Sequence, residues 1–258
     1  MKVHHLNCGT MHYPGAHLVC HVLLVETDDG LVLVDSGFGL DDIAHPGSRV
    51  GPIRFVSRPT LDRDETAVAH LKRLGYSPND VRHIVLTHLD GDHVGGASDF
   101  PDATLHVTTT EAQAVRKPKQ LMERARYQHT RWALNAKLVE HDTAGEAWQG
   151  FAAAKELLAG IVMISLPGHS RGHAAIAVDA GHRWVLHAGD AFYHWSVLEG
   201  RPKVPSVLAL QERLVAYDLT ALRANQERLA ELHQRREPRM LVVCAHDPEL
   251  YEHARETA

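Results

Sequence analysis

The chain has 258 residues, a length compatible with one large domain or two smaller ones, and a single domain over residues 1–258 is expected. Hydrophobic residues make up 44% and charged residues 23%, with no long uncharged apolar run and no secretory leader in "MKVHHLNCGTMHYPG", so a cytoplasmic protein without membrane insertion is expected. A formal net charge of -5 argues against a nucleic-acid partner, and the three widely spaced cysteines, Cys8, Cys20 and Cys244, read as reduced thiols.

In chain order, "CHVLLVETDDGLVLVDSG" places two β-branched runs around an Asp-Gly turn and predicts a hairpin, Cys20 to Glu26 with Leu31 to Asp35. In "DRDETAVAHLKRLGYSPNDV" acidic residues open a helix, Ala67, Leu71 and Leu74 share one face, and Gly75 closes it. "VRHIVLTH", "ATLHVT" and "GIVMISLPGHS" read as strands. The segment from about 111 to 149 is rich in Lys, Arg, Gln and aromatics without alternation, and reads as helical elements and loop. "HAAIAVDAGHRWVLHAGD" predicts a second hairpin turning at Ala180-Gly181, "DLTALRANQERLAELHQ" an amphipathic helix capped by Asp218, and "RMLVVCAHD" a final strand. Strand runs followed by helices, twice, imply an α/β chain with two sheets sandwiched between helices.

The strand ends carry the chemistry. "LTHLDGDHVGG", Leu86 to Gly96, holds two histidines, two aspartates and three glycines, a composition unfavourable inside either helix or strand. Three more strands run into polar clusters: Pro167-Gly168-His169, Gly189-Asp190 and His246-Asp247. One His or Asp at a strand end is most often a turn former, but this many in four such places point to a metal at the rim of the sandwich. Imidazole and carboxylate suit Zn, Fe or Mn, with no thiolate required. Gly91 is then expected to bend the loop around the ion, and Gly95-Gly96 to let backbone lie close to it.

In order and spacing, "THLDGDHVGG", "PGHSRGH", "HAGDAFY" and "CAHD" resemble the motifs of the metallo-β-lactamase superfamily across nearly the whole chain. The resemblance implies an αβ/βα sandwich of two mixed β-sheets flanked by helices, with two divalent ions at the rim. It would place His88, Asp90 and His169 on one ion, Asp92, His93 and His246 on the other, and Asp190 between them. Position 90 departs from the family, which usually has His there, as in H-x-H-x-D-H. That means either the loss of one metal or a substituted ligand. Geometry favours substitution, because an Asp Oδ and a His Nδ1 both sit two bonds beyond Cβ. With a third carboxylate the site is one unit less positive than usual. Zinc remains the first expectation, and Asp90 gives iron or manganese ground against it. The flavodiiron oxygen reductases are similar in carrying a carboxylate here, but their flavodoxin domain does not fit in 258 residues.

Within the superfamily, Asp190 in place of Cys and the missing leader argue against a periplasmic β-lactamase. The twelve residues after His246 leave no room for the C-terminal domain of glyoxalase II thioesterases, and nucleases of the family carry inserted domains and basic surfaces. The best local resemblance is to the N-acyl-homoserine lactone lactonases, through Asp190-Ala191-Phe192-Tyr193. A binuclear hydrolase of a lactone or other small carboxylic ester is therefore expected, in which a bridging hydroxide attacks the carbonyl. Its substrate is a small molecule. Asp92 would orient the nucleophile and pass its proton on, and Tyr193 would donate to the oxyanion. Asp35 in "VDSG" is expected to hold a ligand from behind. A glyoxalase II-like thioesterase and a metal-binding regulator with little turnover are the alternatives. His173 and His21 read as structural, His4, His5, His129 and His194 carry no assignment, and Arg124 to Trp132 reads as either a wall over the site or an amphipathic surface helix.

Overall fold

The computed structural model describes residues 1–200 and 203–258. The first sheet comprises β1 (Lys2–Tyr13), β2 (Ala16–Thr27), β3 (Gly30–Val34), β4 (Val81–Val85), β5 (Thr104–Thr108) and β6 (Leu138–His141), hydrogen-bonded in that order. The second comprises β7 (Glu146–Trp148), β8 (Phe151–Leu158), β9 (Ile161–Ser165), β10 (Ala174–Asp179), β11 (Trp184–His187) and β12 (Met240–Val243), also in chain order across the sheet. Both sheets are mixed. The β1–β2–β3 pairs are antiparallel and β3–β4–β5–β6 parallel, while the second sheet is antiparallel up to β11 and ends on the parallel pair β11–β12. Both predicted hairpins are present, β2–β3 and β10–β11.

The helices in chain order are α1 (Leu40–Ala44), α2 (Pro46–Arg49), α3 (Arg54–Ser57), α4 (Ala67–Leu74), α5 (Gly91–Val94), α6 (Thr109–Arg116), α7 (Leu121–Tyr127), α8 (Ser206–Val215), α9 (Leu219–Gln234) and α10 (Pro248–Glu256). Their ends follow local chemistry. Thr66 caps α4 by accepting from Ala69 N, and Gly75 ends it in the left-handed conformation at φ 87°. Asp218 caps α9 by accepting from Ala221 N. Ala67 and Leu71 of α4 are buried, whereas Leu74 stays 41% exposed, one turn too far along to reach the sheet.

The sheets pack face to face through Leu23, Val25, Val32, Val34 and Val85 on one side and Ile161, Met163, Ile176 and Val178 on the other. Outward-facing Leu24, Leu33, Ile84 and Leu105 are covered by α4 and α6, and Leu186 and Val242 by Leu229 and Leu232 of α9. Because both faces of β2 are covered, its middle is buried without alternation, as expected for a strand in the inside layers.

Residues 111–149 are not helix and loop alone. They hold α6 and α7 but also β6 and β7. β6 pairs with β5 at the sheet edge, and its four residues, Leu138–His141, are too few and too evenly half-buried to show a two-residue period.

Candidate metal centre

Four strand ends meet on one rim of the sandwich. Beyond β4 the chain passes through Thr87 and His88 to Asp90, the N-cap of α5, and the single turn of α5 carries Asp92 and His93. The β9–β10 loop brings His169, the turn after β11 brings Asp190, and the turn after β12 brings His246.

These side chains form two sets. Oδ2 of Asp190 lies 3.9 Å from Nε2 of His88 and 3.5 Å from Nε2 of His169, and Oδ2 of Asp90 lies 3.5 and 3.2 Å from the same nitrogens. Oδ1 of Asp190 lies 3.2 Å from Nε2 of His93 and 3.0 Å from Nε2 of His246, with Oδ2 of Asp92 at 3.9 and 3.6 Å from those nitrogens. All seven residues singled out in the sequence meet here. Donor atoms of His88, His169 and Asp190 fall within 4.8 Å of one another, as do those of His93, Asp190 and His246.

The residues fit divalent ions. Nε2 of His88, Nε2 of His93 and Oδ1 of Asp190 are buried and have no hydrogen-bond partner among the described residues, a costly state unless something accepts their lone pairs. Each imidazole is held by its other nitrogen. Nδ1 of His246 donates to Val19 O at 2.7 Å, and Nδ1 of His93 is 2.9 Å from Oδ2 of Asp35. Nδ1 of His88 is 3.0 Å from Thr87 Oγ1, and Nδ1 of His169 is 3.2 Å from the Tyr193 hydroxyl. That arrangement turns every Nε2 lone pair inward, as metal-binding histidines are usually held.

Charge agrees. Burial opposes ionisation of Asp190, yet His246, His93 and His169 together hold its carboxyl well below the usual range. Burial opposes a charge on Asp90 as well, and Arg126 followed by His88 overcomes it. Burial and Arg126 lower His169 to about 4, keeping it a neutral ligand-type imidazole. For His93, burial opposes a charge, and Asp190, Asp92 and Asp35 outweigh it and raise its pKa.

Several residues without a sequence signal belong to the site. Buried Glu111 accepts from Leu89 N at 3.1 Å, Tyr127 OH at 2.8 Å, Ser170 Oγ at 2.7 Å and Gly172 N at 3.0 Å, and so ties the His88 loop to the His169 loop. The thiol of Cys20 on β2 lies within 4.8 Å of the donors of Asp92 and His246, and burial, then Asp92, pushes it up and keeps it protonated. Arg126 of α7 donates to His169 O and Val215 O and lies 3.4 Å from Asp90. No local pattern separates Arg126 from Arg124 or Arg131, and only the tertiary fold does.

Both histidines read as structural are hydrogen-bonded within the fold. Nδ1 of His173 donates to Leu166 O and its Nε2 accepts from Asp190 N at 3.0 Å, so it stands behind the Asp190 turn. His21 is buried against His5. His4 pairs with Glu26, and His194 caps the turn at 195–197. His129 lines the cleft, its Nδ1 donating to Ser48 O. The glycines act differently from expectation. Gly91 takes an ordinary conformation with room for a Cβ, whereas a Cβ on Gly96 would lie 2.4 Å from Ser36 O and one on Gly95 2.0 Å from Asp42. Close backbone approach here is to the turn after β3, not to the metal pocket.

A cleft of about 530 Å³ opens onto the cluster. Met11, Leu18, Phe38, Val50, Ile53 and Val56 make one apolar side, and Met122, Arg126 and Thr130 a second, so the segment from Arg124 to Trp132 does contribute to a wall. Tyr193, 3% exposed, reaches the cleft floor.

Residues 16–246 match the metallo-β-lactamase superfamily. The chain is 58% identical over 261 residues to a probable metallo-hydrolase of Mycobacterium tuberculosis, covering all of this chain and 84% of that one. It is 29% identical over 157 residues, 60% of this chain and 56% of the other, to an N-acyl homoserine lactonase of Bacillus thuringiensis. A solved N-acyl homoserine lactone hydrolase with the product N-hexanoyl-L-homoserine at its catalytic metal centre aligns over 98% of this chain and 95% of its own, at TM-score 0.72 and 21% identity. A probable metal-dependent hydrolase from Staphylococcus aureus aligns over 95% and 89%, at TM-score 0.71 and 19% identity. At such identities the likeness is one of fold, while the family match and the mycobacterial relative carry the assignment: the chain belongs to the metallo-β-lactamase superfamily, among its metallo-hydrolases.

Proposed function

We propose that the protein is a two-metal hydrolase of a lactone or other small, uncharged carboxylic ester. His88, Asp90 and His169 would hold one ion, Asp92, His93 and His246 the other, and Asp190 would bridge. The observation that carries this reading is the division of the Asp190 carboxylate, one oxygen toward each histidine pair, at the foot of an apolar cleft. Divalent ions held here would supply Lewis acidity toward a carbonyl oxygen and acidify water into a nucleophile at neutral pH.

The chain's own groups do the rest. Asp92, with 24% of its side chain exposed, faces both the cleft and the donor cluster, which suits a carboxylate that orients water and carries a proton to the leaving alkoxide. The Tyr193 hydroxyl lies 3.2 Å from Nδ1 of His169; with Nε2 of that ring given to an ion, Nδ1 would carry the hydrogen and donate to the hydroxyl, leaving the phenol proton free for an oxyanion on the substrate. Burial, then Asp190, raises its pKa, so it remains a donor. The two arginines lining the cleft are already paired, Arg49 with Asp42 and Arg126 with Asp90. Both guanidiniums among the described lining residues are already neutralised by a carboxylate, which favours a neutral ester over a phosphodiester.

The test is hydrolysis of acyl-homoserine lactones beside S-lactoylglutathione and a phosphodiester, with Asp92→Asn as control. Ring opening that Asp92→Asn abolishes supports the reading. Turnover of the thioester alone moves the protein to the thioesterase alternative, and no turnover of any ester by metal-replete protein favours the regulator.

A further inference from the structure

Arg126 is the least expected charge at this centre. Its guanidinium is nearly closed off from solvent, with 11% of the side chain exposed. Two arms of the fork are hydrogen-bonded, Nη1 donating to His169 O at 2.8 Å and Nη2 to Val215 O at 2.7 Å, and Nε faces Oδ1 of Asp90 at 3.4 Å as an ion pair. Oδ1 is buried and has no hydrogen-bond partner among the described residues, while Oδ2 of the same carboxylate faces the His88–His169 nitrogens. Asp90 therefore stands between a fixed cation and the candidate ion site, one oxygen toward each.

A buried guanidinium beside a site for two dications is costly unless a carboxylate lies between them. The superfamily pattern with a neutral histidine at this position would leave such a cation uncompensated. We propose that Asp90 and Arg126 form a single replacement unit for that histidine: the carboxylate supplies the donor atom, and the guanidinium returns the unit of positive charge that the carboxylate removes. Arg126 is a positioning residue, fixing the carboxylate from α7 and tying it to the backbone of His169. This rests on the metal-site reading given above. It excludes two simpler accounts, a decayed metal site at Asp90 and a free arginine awaiting an anionic substrate.

The unit makes a prediction that no purely structural role makes. Ion affinity of the two sites is measured by titrating Co²⁺ or Zn²⁺ into metal-depleted, refolded-checked protein for four chains: wild type, Asp90→His, Arg126→Met and the double variant. Asp90→His alone should bind the ion at the His88–His169 site on the order of tenfold or more weakly, because it leaves the guanidinium unpaired beside a dication. Adding Arg126→Met should restore that affinity to within about threefold of wild type. Arg126→Lys serves as a second variant; it keeps the charge and should not rescue Asp90→His.

Equal effects of Arg126→Met in the Asp and His backgrounds, at unchanged melting temperature, would overturn the proposal and leave Arg126 a strut between α7 and the His169 loop. Full affinity in Asp90→His with Arg126 intact would overturn it as well. A wild-type chain that takes up no ion at the His88–His169 site would remove the metal reading itself and the proposal with it, and that outcome is distinct from the other two.

Discussion

Oδ2 of Asp35 lies 2.9 Å from Nδ1 of His93, and the same carboxylate takes the backbone N–H and the hydroxyl of Thr87, each at 2.8 Å. One residue at the end of β3 thus fixes both the ring of His93 and the loop that starts toward His88. It does so from a left-handed backbone position, φ 58°, which Asp and Asn tolerate better than most residues. Asp35→Asn keeps the backbone and shape but loses the charge that orients the His93 N–H. It should weaken metal binding about 10- to 100-fold, read by competition with a chromophoric chelator. Wild-type affinity in that variant would show that His93 needs no support from Asp35.

Asp92 and Tyr193 make separable contributions. Asp92→Asn should lower kcat by on the order of 10²-fold or more, the usual loss for a general acid–base. Tyr193→Phe should cost less, about 1 to 3 kcal/mol of transition-state stabilisation, seen in kcat/KM for a lactone at saturating metal. Equal losses in the two variants would contradict the division of labour between proton carrier and oxyanion donor.

Glu111 is the corresponding test on stability. Its carboxylate accepts four hydrogen bonds inside the protein. Glu111→Ala strands those donors and should cost about 3 kcal/mol or more in urea unfolding, since bonds to a charged acceptor are each worth about 1.5–3 kcal/mol. Loss of metal should accompany it, because the His88 and His169 loops are no longer tied.

Acid sensitivity away from the cleft has a defined sign. Burial lowers His5 to about 3 and His106 to about 4, and both are neutral in the folded protein. Unfolded histidine takes up a proton near pH 6.5, so between about pH 6.5 and 4 the unfolded chain binds more protons at these positions. Their contribution is present above that window and is lost as pH falls through it. His106→Gln should therefore be less stable than wild type at pH 7.5, with the gap narrowing by pH 5 in paired urea curves. A gap that widens on acidification would refute the assignment of His106 as a buried neutral imidazole.

The rim of candidate donors was legible in the sequence because loops after strands carry little packing duty, so His88, Asp92, His93, His169, Asp190 and His246 stood out against apolar runs. The edges were not. β1 is interrupted by His4, Asn7 and Gly9, whose partners on β2 and elsewhere lie far along the chain. "FAAAKELL" of β8 has helix-forming residues and becomes a strand only through pairing with β7 and β9. Arg126 and Glu111 were invisible for a related reason: a buried charge is defined by its partners, and those of Arg126 are Asp90, His169 and Val215, brought together only in the folded chain.

The central claim is that Asp190 stands between two ions and not beside one. Elemental analysis of metal-replete, gel-filtered protein tests it most directly. The account predicts about two divalent ions per chain, falling to about one or fewer in His88→Ala and in His246→Ala. A single ion per chain in the wild type, unchanged by His88→Ala, would contradict it.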